Sequence, residues 1–455
     1  MSEIQTSLSF RSNAAKAVDD QVLRAAMRQA ADTFGTKRSD AFAPVADAEA
    51  LRDRASAIRS EVLDNLPTYV DRFAANATKA GATVHRAPDA ASAREIISGI
   101  LSSRGAKRIV KGKSMVSEEI HLNAHLERAG MEVVETDLGE FIIQLAGETP
   151  SHIIVPAIHK NRRQVGKLFS EKLGVPYTDD PQVLTKIARK AMREKFLSAD
   201  AGLSGANFAA ADTGSLVLFT NEGNGRMVTT IPSLHIAILS IEKVIPSLSD
   251  LPAFIRLLPR SATGQTITSY VSVITGPRKP GDATGAQELH IVLLDNGRTQ
   301  IRAGESREIL KCIRCGACMN VCPVYRTVGG HSYGWIYPGP MGLILTNLLT
   351  GMAKSHPLVD ASTLCGACVE VCPVRIPLVP IILQLRRRRV REGFSDPREK
   401  RGMALFAKAA ASPGLFGLGQ RLARLFWPFV RSVGGRDVVG RLPEPARVPY
   451  RRRTT

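Results

Sequence analysis

The chain has 455 residues, too many for one compact core, so roughly two to four domains are expected. With 44% hydrophobic and 23% charged residues the composition is that of an ordinary globular protein, and no run reaches the roughly 18 apolar residues of a membrane-spanning helix. The net charge of +19 would suit nucleic acid, but residues 381–455 hold 18 Lys+Arg against 5 Asp+Glu, a local +13, leaving only +6 for the other 380 residues; this is a basic tail and not a basic groove.

The opening residues lack a basic stretch followed by an apolar one, so no secretion signal is expected and the expected compartment is the cytoplasm. Residues 1–70 read as a helical N-terminal extension, with polar, Ala/Arg-rich helices over Val22–Phe34 and Ala48–Leu63. Residues 71–297 read as an α/β domain. Strands are expected at Arg108–Val110, Glu132–Glu135 and His152–Pro156, with a helix from the turn Lys111–Ser114 through Ala129, then helices Asn161–Leu173 and Pro181–Phe196. Strands alternating with helices at this spacing predict a largely parallel sheet. Beyond residue 205 the expected strands are Ser215–Thr220, Met227–Ile231, His235–Ser240, Thr268–Thr275 and Leu289–Leu294, with Asn221–Gly225 as a hairpin-like turn. Residues 298–385 carry the cysteines, and residues 386–455 form a basic C-terminal region with an amphipathic stretch at Gln420–Val433.

All seven cysteines lie between positions 312 and 372. Disulfides would be spread over a secreted domain, so such clustering points to metal. The first motif is Cys312-x2-Cys315-x2-Cys318-x3-Cys322-Pro323. Structural zinc usually takes two close pairs set apart by a longer spacer. A tight triplet with a fourth Cys-Pro is the bacterial ferredoxin arrangement, in which the fourth thiolate ligates the other of two [4Fe–4S] clusters. The second motif, Cys365-x2-Cys368-x3-Cys372-Pro373, repeats the first at a shift of 50 residues, with eight of ten positions identical between 315–324 and 365–374.

Ligand crossing gives Cys312, Cys315, Cys318 and Cys372 to cluster one, and Cys322, Cys365 and Cys368 to cluster two. The counterpart of Cys312 in the second copy is Ser362. Ser362 is a weak fourth ligand, or it only closes a turn and leaves an open iron or a [3Fe–4S] cluster. The linker between the motifs contains a Gly-, Pro- and aromatic-rich stretch and then an apolar helix over Met341–Met352, which predicts an α-helical ferredoxin domain; His331 in it reads as a hydrogen-bonding residue.

Four further segments, 111–123, 147–162, 205–246 and 261–278, together with the cysteine pattern and its missing thiolate, resemble the L-lactate-utilisation iron–sulfur proteins of the LutB/YkgF type. The resemblance implies a lactate-utilisation (LUD) α/β domain with a Rossmann-like sheet, related to CoA transferases and sugar-phosphate isomerases, ahead of the ferredoxin-type domain. It implies an electron-transfer subunit of a multi-protein system oxidising L-lactate to pyruvate, working with a cysteine-rich-domain subunit and a second LUD protein. Alternatives are the same role for another 2-hydroxy acid such as glycolate, or a LUD enzyme with transferase-like chemistry and structural clusters. Catalytic residues are not identified. Lys111, Lys113 and Ser114 at a strand-to-helix turn are candidates for an anion, and Glu222 for a carboxylate role. The competing reading makes them solvated turn charges. No flavin or nicotinamide fingerprint appears, so the chain is not expected to be catalytic alone. The basic tail allows peripheral membrane contact.

Overall fold

The computed structural model describes residues 7–433; residues 1–6 and 434–455, at the ends of the expected extension and tail, lie outside it. Residues up to Arg388 form one unit and those from Arg389 onward a second.

The first unit opens with four helices, α1 (Phe10–Asp19), α2 (Gln21–Phe42), α3 (Ala48–Asp64) and α4 (Leu66–Lys79). Ten strands follow: β1 (Thr83–Ala87), β2 (Arg108–Lys111), β3 (Glu132–Glu135), β4 (Ala201–Ser204), β5 (Phe208–Ala210), β6 (Ser215–Thr220), β7 (Leu234–Ser240), β8 (Val244–Ile245), β9 (Tyr270–Ile274) and β10 (Glu288–Leu294). Six of them build an all-parallel sheet in the order β1-β10-β7-β4-β2-β3. Its central strand β7 is buried at every residue, as a parallel strand with both faces covered must be. In register, Ile236 pairs with Leu203 on one side and His290 on the other. Ile97, Leu101 and Leu126 fill one face, and Val70, Phe73 and Ala77 of α4 fill the other. A second, mixed sheet runs β8-β5-β6-β9.

Three local expectations fail for identifiable reasons. His152–Pro156 is a loop and not a strand, because the His152 ring accepts from the amides of Ile154 (2.9 Å) and Val155 (3.1 Å) and folds the segment back. Met227–Ile231 is not a strand and Asn221–Gly225 not a hairpin turn: a helix, Asn224–Thr230, carries the chain from one sheet to the other. Its threonines satisfy themselves locally, Thr229 and Thr230 both donating to the Arg226 carbonyl, which offsets their β preference. The helix after Ser114 breaks at His121, whose φ of 50° ends Met115–Glu119 before Leu122–Arg128 begins.

The cysteine segment is helical and short-turned, with no strand between residues 323 and 364. Helix Leu378–Arg391 closes the first unit, burying Leu378, Ile381, Ile382 and Leu385. The second unit contains helices Pro397–Ala411 and Pro413–Val433, with Leu405, Phe406, Leu425 and Phe426 among its exposed apolar side chains. No helix of the described residues is long and apolar enough to cross a membrane.

Candidate metal centre

The 50-residue sequence repeat is also a backbone repeat. Arg314 and Leu364 are both left-handed, at φ 60° and 58°, and Gly316 and Gly366 follow at 76° and 88°. Space at 316 is tight as well, since a Cβ there would lie 3.2 Å from the His152 ring. The turns aim amides inward: Arg314 N–H donates to Cys312 Sγ at 3.3 Å, and Leu364 N–H to Ser362 Oγ at 3.2 Å. Ser362 therefore occupies the position of Cys312, with oxygen in place of sulfur.

The thiols gather into two groups. Cys312, Cys315, Cys318 and Cys372 line one cavity walled by apolar side chains such as Ile153 and Met341. Burial pushes the Cys315 and Cys318 thiols far up, and the neighbouring sulfurs push further. Cys322 is raised by burial and, further, by Cys365, and Cys368 is driven to about 12 by burial first and then by Cys322 and Cys365. Cys318 also feels Cys368, so the groups adjoin. Backbone amides point at the sulfurs: Ala317 at Cys315, Met341 at Cys318, Tyr325 at Cys322, Ala367 at Cys365, and Ile376 at Cys372 (3.3 Å). Crowded sulfurs that repel each other as thiolates, yet sit under converging N–H donors, fit an iron–sulfur cluster whose cationic irons supply the missing charge. The first group is enclosed; in the second, Cys365 is exposed and its thiol is lowered by the Ala367 amide and Thr363 hydroxyl.

Residues far away in sequence hold this segment, and no local motif marks them. Arg52 on α3 donates to the Cys372 carbonyl (3.0 Å) and to that of Glu370. Arg59, two turns further along the same helix face, donates to the carbonyls of Leu310 (2.9 Å), Lys311 (3.2 Å) and Val244 (2.9 Å). Behind Cys312 lies a buried ion network: Arg298 pairs with Glu119 and Glu242 at 2.7 Å each, and Arg314 with Glu242 at 3.2 Å. Tyr337 and Asn296 also donate to Glu119. Lys243, lowered to about 7 by burial and then by Arg314, completes a cationic flank on the enclosed group.

The other candidates resolve differently. Lys111 is neither an anion ligand nor a solvated charge: it is buried between Glu118 (2.9 Å) and Glu135, which hold its ammonium up against the opposing effect of burial. Lys113 reaches the Ile154 carbonyl and Glu140, both at 2.8 Å. Ser114 caps the short helix Met115–Glu119. Glu222 accepts from the Leu138 amide at 3.2 Å, and burial and Asp137 raise its carboxyl. The turn is thus occupied by its own ion pairs. His331 is bonded to the Thr149 carbonyl at 2.7 Å, a hydrogen-bonding role.

Comparison with known proteins agrees with this layout. The LUD domain family matches residues 70–294, and the 4Fe-4S dicluster domain family matches residues 308–376. Lactate utilization protein B of Bacillus licheniformis is 45% identical over 416 residues, 91% of this chain and 87% of its own. The protein of that name from Bacillus subtilis is 44% identical over the same shares. An Escherichia coli protein named "Uncharacterized electron transport protein YkgF" is 43% identical, covering 90% of this chain and 86% of its own. A solved DUF162 family protein from Deinococcus radiodurans aligns with 52% of this chain and 98% of its own at 14% identity, with a TM-score of 0.28. The chain carries iron–sulfur clusters behind a LUD domain, and it belongs to the family of lactate utilization protein B.

Proposed function

We propose that this chain is the iron–sulfur electron-transfer subunit of a multi-protein system that oxidises L-lactate to pyruvate. The observation that carries it is the pair of adjoining thiol groups, one enclosed and one exposed, in a chain so similar to proteins named for lactate utilisation and electron transport. Cys312, Cys315, Cys318 and Cys372 hold the inner [4Fe–4S] cluster. Cys322, Cys365 and Cys368 hold the outer one, and the exposed Cys365 side is where electrons enter or leave. Arg24, Arg28 and Arg326 line a depression that includes Val321 and Pro323, either side of Cys322, which suits an anionic group on a companion protein. Companion proteins, a cysteine-rich-domain subunit and a second LUD protein, split the two-electron step that one-electron clusters cannot perform.

The anaerobically purified chain is expected to hold about seven to eight iron atoms with broad visible absorption. L-lactate should bleach that absorption only when the companion proteins are present. Bleaching by glycolate and not by L-lactate would move the substrate to another 2-hydroxy acid; bleaching by neither would end the proposal.

Ser362 makes the outer cluster the more labile. Mild oxidation is expected to remove one iron from it while the four-thiolate cluster persists, because a hydroxyl is a weaker donor than a thiolate. Ser362→Cys places sulfur where the backbone already presents an inward amide, and should protect the outer cluster and lower its potential. Equal decay of both clusters, unchanged by Ser362→Cys, would show that position 362 does not face iron.

The basic tail is a docking element for an anionic membrane surface or partner, its helix Pro413–Val433 combining exposed Leu425 and Phe426 with Arg421 and Arg424. Truncation after residue 395 should leave iron content unchanged while weakening binding to anionic vesicles in a salt-sensitive way. Loss of iron on truncation would place the tail inside the cluster domain instead.

A further inference from the structure

Away from the thiols, Glu148, His159 and His331 each offer one potential ligand atom, and these atoms all lie within 4.8 Å of one another. We propose that the three residues bind a divalent ion of the zinc class, at a site separate from both cysteine groups. Two imidazoles and a carboxylate form a nitrogen–oxygen set of the kind zinc takes, and three protein ligands leave a position open for water or another oxygen donor.

The site bridges the two halves of the unit. Glu148 and His159 stand at either end of the loop after helix Leu138–Ala146, while His331 comes from the linker between the cysteine motifs. The rings of His159 and His331 meet edge to face, with centroids 4.6 Å apart. Ligands of a metal site are normally steadied by outer hydrogen bonds, and two of the three, Glu148 and His331, have them. His331 Nε2 donates to the Thr149 carbonyl at 2.7 Å, which leaves Nδ1 with a free lone pair. Lys160 Nζ holds Glu148 Oε1 at 2.6 Å, leaving Oε2 for His159 Nε2 at 2.7 Å. An ion taking the place of that last proton finds a nitrogen and an oxygen already side by side. His159 Nδ1 is buried without a hydrogen-bond partner among the described residues, so this ligand is held by its packing and by Glu148. Burial favours its neutral form, the one that ligates metal. Lys160 opposes the charge of an ion here, and it is paired with the Glu148 carboxylate at 2.6 Å.

An ion here would pin the loop to the linker. The same loop carries Ser151, whose carbonyl accepts from Tyr325 at 2.8 Å, and His152, whose ring lies 3.2 Å from Asn320 between Cys318 and Cys322.

The test uses iron-replete, anaerobically purified full chain, dialysed against Zn2+ and desalted, with zinc and iron measured together. Wild type is expected to retain about one zinc beyond its full iron complement. Glu148→Gln and His331→Gln should each weaken zinc binding by more than about 10-fold, with iron content unchanged. Zn2+ should raise the thermal midpoint of wild type and not that of His331→Gln, since an ion stabilises only the form it binds. Either iron-replete wild type retaining no zinc, or zinc that persists in both variants and rises only as iron falls, would overturn the site; the second result would mean zinc in vacant thiols.

Discussion

Cys322→Ser and Cys368→Ser are expected to abolish the same cluster, although one residue belongs to the first motif and the other to the second. Cys372→Ser should in turn share its spectrum with Cys315→Ser. Each single variant should lose roughly half the iron, about four atoms per chain, and retain the electron paramagnetic resonance of the untouched cluster. The expectation rests on Cys372 lining the same cavity as Cys312, Cys315 and Cys318, and on Cys368 lying close enough to Cys322 and Cys365 to feel both. Loss grouped by motif, with Cys322 following Cys315, would refute the crossing. The Cys372 and Cys322 variants are the decisive pair.

Arg298→Met is expected to be the most destabilising single change outside the cysteines. Its guanidinium is fully buried and is shared by Glu119 and Glu242, also fully buried. Removing it leaves the buried Glu119 carboxylate without a cation and Glu242 with only its Arg314 ion pair, a loss of about 3–5 kcal/mol. Adding Glu119→Gln should recover part of this, because an uncharged amide can accept from Asn296 through its oxygen and donate to the Tyr337 hydroxyl oxygen through its NH2. Denaturant midpoints of the two variants and wild type, measured anaerobically, check the prediction. A change within about 0.5 kcal/mol for Arg298→Met would show that water reaches the network. The same variant should disturb the inner cluster, since Glu242 also holds Arg314, whose amide donates to Cys312.

What the sequence disclosed follows from the kind of signal each feature leaves. The cysteine repeat is local and nearly exact, so it announced both thiol groups and the place of Ser362. Periodicity disclosed β7 and β10, which are long and apolar, and the helices Arg162–Leu173 and Pro181–Leu197, whose Asn161 and Asp180 caps are visible. It failed at His152–Pro156, where an apolar run was bent by a histidine ring, and at Met227–Ile231, where β-branched residues were taken into a helix. Lys111 looked like a surface lysine beside a turn; nothing local reveals that Glu118 and Glu135 close over it. Arg52, Arg59, Arg298 and Glu242 were equally silent, since an arginine such as Arg59 that bonds carbonyls 251 and 252 residues away reads like any other helical arginine. Long-range polar pairing leaves no period.

Those arginines bear on how the protein is made. Arg52 and Arg59 leave the ribosome before any cysteine does, and domains fold from the N-terminal side as synthesis proceeds. The helices and parallel sheet can therefore be standing, with guanidiniums turned toward an empty seat, before the ligand-bearing segment emerges. Cys372, which joins the three early thiols of the first motif, comes out 60 residues after Cys312. Until then the inner set lacks its fourth sulfur. Cofactor delivery is in this way a late step of biogenesis: the nascent chain builds the receptacle first, and maturation machinery meets a scaffold already in place.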